Sequence, residues 1–287
     1  MPYRHDIQVE IQSSLDKVRR RYLSEVSRLS KRDTVLMAGN CNHNAGAINE
    51  SDLQGWMAAL QGLKDENLDV ILHTPGGSSE FTEQIVSYIR SKYKSIRCII
   101  PARAMSAGTM FACSCDEIIM SKIAAIGPID PQYGLIQDNK LMFVPAYAIL
   151  EDFKTALTQT SAAPNLTPFW AAHLSRLPVG TSAVCQALIT RAQEIVEGWL
   201  NDYMKLPAPT SKTIAAWLGA NHKSHGKPFS IVDAKDKGLN VKALEANQDF
   251  QDAVLSVFHA TMIAFESTTC RKIIENQLGK GLCFNAP

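Results

Sequence analysis

No run of apolar side chains in this 287-residue sequence approaches the ~18 consecutive residues that mark a membrane-spanning helix. Charge of one sign is also lacking: 29 basic residues face 28 acidic ones, a net charge of +1. Electrostatics therefore favours neither nucleic acid nor an anionic membrane as partner. The seven cysteines are odd in number, scattered, and include no C-x-x-C pair. Several lie in apolar stretches, where cysteine acts as a small hydrophobe. That usage speaks against a disulfide framework and fits a reduced, cytoplasmic setting. The polar stretch 1–11 has no apolar centre of the kind a signal peptide carries. There is no internal repeat and no low-complexity segment. What is present, 46% hydrophobic and 20% charged residues, is the composition of a globular protein. The length suits one large α/β domain or a domain with a helical extension.

Periodicity divides the chain into three parts. Residues 6–30 read as one helix, with Ile11, Leu15, Val18, Tyr22 and Val26 at helical spacing. The run Arg19–Arg21 reads as a solvated face, because acidic neighbours balance it. From residue 34, short apolar strands alternate with helices: strands near 35–37, 68–72, 96–100, 117–120 and 124–126, helices over 51–63 and 80–92. Such repeated units imply parallel strands joined by right-handed crossovers. Beyond Gly134 the regularity fades into a strand at 141–144 and helices over 145–157 and 169–205, with a break at 178–180. Further helices are expected at 211–218 and 231–237, and a final one from Asp249 to Gln277. The expected organisation is an N-terminal helical extension (1–33), an α/β domain (34–245) and a C-terminal helical segment (246–287).

Two strand ends carry the chemistry. Strand 96–100 leads into Ala104-Met105-Ser106-Ala107-Gly108-Thr109, and strand 68–72 into His73-Thr74-Pro75-Gly76-Gly77-Ser78. A serine hydroxyl is a poor nucleophile unless a base takes its proton and fixed donors hold the developing oxyanion. Ser106 between a strand end and a helix start would be exposed beside backbone N–H groups. Gly76 and Gly77 would let further N–H groups approach a substrate carbonyl with no Cβ in the way. This geometry points to acyl transfer, although small residues after strands also serve close packing. The serine motif is not the Gly-x-Ser-x-Gly elbow of α/β-hydrolases, since Ala104 occupies the first glycine position.

His73-Thr74-Pro75-Gly76-Gly77, Ala104 to Thr109, Asp116 to Met120 and Gly127-Pro128-Ile129-Asp130-Pro131-Gln132 occur in that order. Together they resemble the serine dehydrogenase proteinase family of Clp-fold serine peptidases, relatives of ClpP, signal peptide peptidase A and the NfeD-type peptidases. A weaker fifth match is Ser224 to Phe229, followed by Gly238-Leu239. The resemblance spans roughly 34–245. It implies a ClpP/crotonase-like spiral of β-α-β units with helical N- and C-terminal additions. It also implies Ser106 as nucleophile and an oxyanion hole of Gly76, Gly77 and Ala107, with Gly77 and Ala107 lending the N–H groups. Helices within 146–205 would drive homo-oligomerisation, and peptides or unfolded proteins would be substrates, with a regulatory or unfoldase partner expected. No cofactor and no metal is implied.

The base stays open. Residues 129–132, where ClpP-type enzymes place a histidine, hold none, and neither Lys140 nor Lys154 falls where the NfeD-type lysine would. His225 is the competing candidate, since the resemblance brings its segment near the site, with Asp130 to orient it in a Ser106–His225–Asp130 triad of permuted chain order. Lys154 and the absence of any competent base are the alternatives. His222-x-x-His225 lacks the neighbours that would complete a metal ligand set. His73 is expected to satisfy a buried backbone group. Two other readings share the fold: a crotonase-like acyl-CoA enzyme and an inactive scaffold.

Overall fold

A computed structural model of the chain describes residues 4–137, 140–222 and 224–286. Five strands run parallel at its centre: β1 (Asp33–Gly39), β2 (Asn67–His73), β3 (Ser95–Ile100), β5 (Glu117–Met120) and β9 (Val241–Ala243). Alternation along these strands dictates two buried faces. Val35, Met37, Val70, Leu72, Cys98 and Ile100 meet α2 (Ser51–Ala59), α3 (Ser79–Arg90) and α4 (Ala107–Cys113). Leu36, Ala38, Ile71 and Ile99 meet α1 (Arg4–Ser30) and α10 (Gln248–Ser267). Burial on both faces explains why the strands read as continuous apolar runs.

A second, smaller layer continues from the sheet's strand ends. β4 (Arg103–Ala104) pairs in parallel with β6 (Ala125–Ile126). Thr74 bridges to Ala104, Phe229 to Ile126, and Ile48 to Gly77. Each β-α-β turn therefore gives one strand to the large sheet and a short one to this layer. That is the expected spiral, and the glycine pair and the serine both emerge from its small layer.

The C-terminus corrects the helical expectation for 246–287. The last helix ends at Ser267, and β10 (Cys270–Asn276) and β11 (Gly281–Asn285) then extend the sheet antiparallel beyond β1. The apolar helical stripe through Phe250, Val254, Val257 and Ala264 stops there. Ile273 and Ile274, on opposite faces of β10, are both fully buried. Capping β1 also removes an exposed parallel edge. Arg19 corrects a second expectation. It is fully buried, bonded to Glu275 on β10 and, at 2.7 Å, to Asp16, so the arginine run is solvated only in part.

Beyond residue 130 the chain adds a hairpin and a helical set. β7 (Gln132–Gln137) pairs antiparallel with β8 (Lys140–Pro145). α5 (Ala146–Ala162), α6 (Thr167–Leu174) and α7 (Thr181–Asp202) follow, the last two separated by the expected break. α8 (Ala208–Leu218) and α9 (Ile231–Asp236) return the chain to β9. Val196 and Leu200 of α7 and Ile214 of α8 join the main core. No helix among the described residues is long and apolar enough to cross a membrane.

Candidate active site

Ser106 stands immediately before α4 with φ 50° and ψ −116°, backbone angles that a non-glycine residue adopts only under strain. The turn is over-determined by its neighbours. Thr109 Oγ1 donates to Ala104 O at 2.8 Å and accepts Gly127 N–H at 2.9 Å, tying the serine motif to the Gly127-Pro128 motif. A Cβ on Gly108 would lie 2.4 Å from Thr74 Cγ2, so helix and strand pack with no room for a side chain. Among the described residues the Ser106 hydroxyl has no hydrogen-bond partner, which leaves it free for a ligand.

The glycine pair packs directly against this turn. Gly76 (φ +105°) comes so close that its Cβ would lie 2.7 Å from Ser106 Cβ and 3.4 Å from Ala107 N. Its own N–H donates to Thr74 Oγ1 at 3.1 Å, so Gly76 supplies proximity and not a donor. Gly77 (φ +145°) lies against Ile48. Among the described residues its N–H has no partner. Ala107, the first residue of α4, likewise has an N–H with no carbonyl to receive it. Two free backbone donors thus flank Ser106.

These groups open into a cavity of about 820 Å³. Its lining includes Gly77, Ser106, Ala107, Asp130 and His225. His225 Nδ1 and Asp130 Oδ1 lie 2.8 Å apart, with 30% and 8% of their side chains exposed. A carboxylate can only accept, so the proton of this bond belongs to Nδ1 and the lone pair of a neutral ring to Nε2. The histidine loop is anchored from behind. His222 Nε2 bonds Trp217 O at 2.7 Å, and Phe229 packs on both Trp217 and His222. That contact engages His222, and no metal-ligating cluster occurs among the described residues.

Lys154 is not brought to this place: it is exposed on α5 and does not line the cavity. Lys140 is exposed on β8. His73 is buried against the Phe258 ring, on the α10 side of the sheet, outside the cavity lining. It meets the Cys41 thiol at 3.3 Å instead of the expected backbone group. Burial, helped by Arg103, lowers its pKa to about 4, and burial raises that of Cys41 to about 11. Both groups are therefore neutral near pH 7. One wall escaped the sequence reading: Leu188, Ala192 and Ile195 of α7 line the cavity beside Met110 and Ile129. Their i, i+4, i+7 spacing was the available signal. Arg191, on the same helix, is held by Glu83 at 2.7 Å.

Residues 14–161 match the family of ClpP-like SDH-type serine proteinases, and the chain belongs to that family. The matched family is one of serine proteinases and not of acyl-CoA enzymes. Two uncharacterized proteins of Methanocaldococcus jannaschii are each 31% identical to it, over 180 and 178 residues. These alignments cover 62% of this chain and 54% and 53% of the relatives, so the chain spans about half the length of the curated relatives it matches. Among solved structures, a variant of a membrane-bound stomatin-specific protease aligns at 16% identity and TM-score 0.37, over 66% of this chain and 69% of that one. A second variant, in complex with a substrate peptide, aligns at 19% identity and TM-score 0.26, over 70% and 83%. At these scores neither likeness bears on the site.

Proposed function

We propose that the chain is a serine endopeptidase acting on peptides or unfolded protein segments through an acyl-enzyme on Ser106. One observation carries this reading. His225 and Asp130, 95 residues apart in sequence, are bonded at 2.8 Å in the wall of the cavity that also receives Ser106. In the proposed reaction His225 Nε2 takes the Ser106 proton as Oγ attacks the scissile carbonyl. The Gly77 and Ala107 N–H groups receive the oxyanion, and Asp130 keeps the ring oriented and stabilises its protonated form. His225 then gives the proton to the leaving amine, and water repeats the sequence on the acyl-enzyme. Lys154, exposed and outside the cavity lining, has no part in this scheme.

A homo-oligomer belongs to the same reading. Ile136, Leu141 and Phe143 on the β7–β8 hairpin are 80%, 62% and 65% exposed, an apolar surface that a second copy would cover. Fluorophosphonate labelling of wild type against Ser106→Ala tests the chemistry. The expected result is one adduct on Ser106, absent from the variant. A folded wild type that stays unlabelled would sink the proposal.

A further inference from the structure

β10 lies beyond the family-matched stretch 14–161, yet one of its side chains reaches the loop behind the glycine pair. Lys272 Nζ donates to Ala47 O at 2.7 Å and to Asp52 Oδ1 at 2.6 Å. Asp52 Oδ2 in turn accepts Asn49 N–H at 3.1 Å. The ion pair therefore grips the backbone on both sides of Ile48. Ile48 grips the glycine segment: its N–H donates to Gly76 O at 2.8 Å, and its carbonyl accepts Ser78 N–H at 2.9 Å. The approach is so close that a Cβ on Gly77 would lie 2.3 Å from Ile48 O.

The orientation of one peptide bond follows from this. Gly76 C=O and Gly77 N–H belong to a single trans peptide, whose two polar groups point in opposite directions. Fixing the carbonyl on Ile48 aims the Gly77 N–H away from Ile48. The pair that enforces this is dry, with 1% and 0% of its side chains exposed. Burial pushes the Lys272 ammonium down and the Asp52 carboxyl up, each opposed by its partner's charge. A buried ion pair seldom outperforms a well-packed apolar pair in stability, so stability alone gives little reason for its presence. Its directional bonds to backbone give one.

We propose that Lys272, paired with Asp52, is a positioning residue for the oxyanion hole, acting through Ala47, Ile48 and Asn49 on the Gly76–Gly77 peptide. The inference rests on the serine peptidase reading. Its test compares wild type with Lys272→Met/Asp52→Leu, which leaves no orphaned charge, and with Arg19→Met/Glu275→Leu. The latter removes another buried ion pair of β10, one that holds α1 and not the site. Fluorophosphonate inactivation is followed against reagent concentration, with thermal midpoints measured in parallel.

The expected result for the Lys272/Asp52 variant is a ~10–100-fold lower maximal inactivation rate at an unchanged half-saturating concentration. The Arg19/Glu275 variant keeps the wild-type rate even where its midpoint falls as far. If the Lys272/Asp52 variant does not fold, Lys272→Arg, which retains the charge but moves its donors, takes its place with the same expected split. Equal slowing in both double variants, or a wild-type rate in the Lys272 variant, overturns the inference alone. A wild type that never labels removes the peptidase reading and this inference with it.

Discussion

The candidate site is built from two sets of residues held by different means. Ser106, Gly76 and Gly77 are fixed through backbone: a strained turn tied down by Thr109, and a glycine segment pressed against Ile48. Asp130 and His225 are joined by one side-chain bond between two loops, with nearly a third of the histidine side chain exposed. The first set tolerates almost no added atom, whereas the second can lose a functional group without a steric clash. Substitutions that add atoms to the first set should therefore fail in folding as well as chemistry, whereas those that only remove a functional group, in either set, should fail in chemistry alone.

The largest expected effect is that of Ser106→Ala. Peptide hydrolysis should fall on the order of 10⁴-fold or more, with the fold unchanged by circular dichroism. Asp130→Asn comes next, because the amide can present its N–H₂ to the ring and reverse the tautomer. Turnover should fall by ~10³–10⁴-fold while the thermal midpoint stays near wild type. A large loss of stability there would erase the contrast between the two sets. Gly77→Ala should act on both quantities. Its Cβ would meet Ile48 backbone at 2.3 Å and its φ is +145°, so a stability loss of about 2–4 kcal/mol should accompany the loss of activity in denaturant titration.

A smaller effect is expected away from the cavity. His73 titrates at about 4 in the folded protein because burial disfavours its charge. Unfolded, it would titrate near ~6.5. The unfolded state therefore binds more protons between these values, and stability falls as pH drops through that window, by up to about 3 kcal/mol from this group. His73→Phe should flatten the stability profile between about pH 6.5 and 4. An unchanged profile in urea titrations would show that His73 is not the responsible group.

The same contrast explains what the sequence disclosed. The serine and glycine motifs were legible because close backbone approach demands small residues, and those demands sit next to one another in the chain. Gly108 against Thr74 and Gly76 against Ser106 are such contacts. The parallel strands were legible because burial on both faces leaves uninterrupted apolar runs. The pairing of Asp130 with His225 rested on family resemblance, since no local pattern joins residues 95 positions apart. Strand β10 was not legible because Cys270 to Asn276, with Arg271, Lys272 and Glu275, shows no alternation of apolar and polar residues. Lys272 is buried against Asp52 and Glu275 against Arg19, pairings that only tertiary structure creates. The cavity wall from α7 was missed for a related reason: helical spacing shows that a face is apolar, not what it faces.

The central claim is that His225, oriented by Asp130, serves Ser106 as base. Fluorophosphonate labelling rates of wild type, His225→Ala and Lys154→Met, with the adduct mapped by peptide mass, test it most directly. The account predicts an adduct on Ser106, formed ~10²–10⁴-fold more slowly in His225→Ala and at the wild-type rate in Lys154→Met. Labelling of His225→Ala at the wild-type rate, or an adduct on another residue, would contradict it.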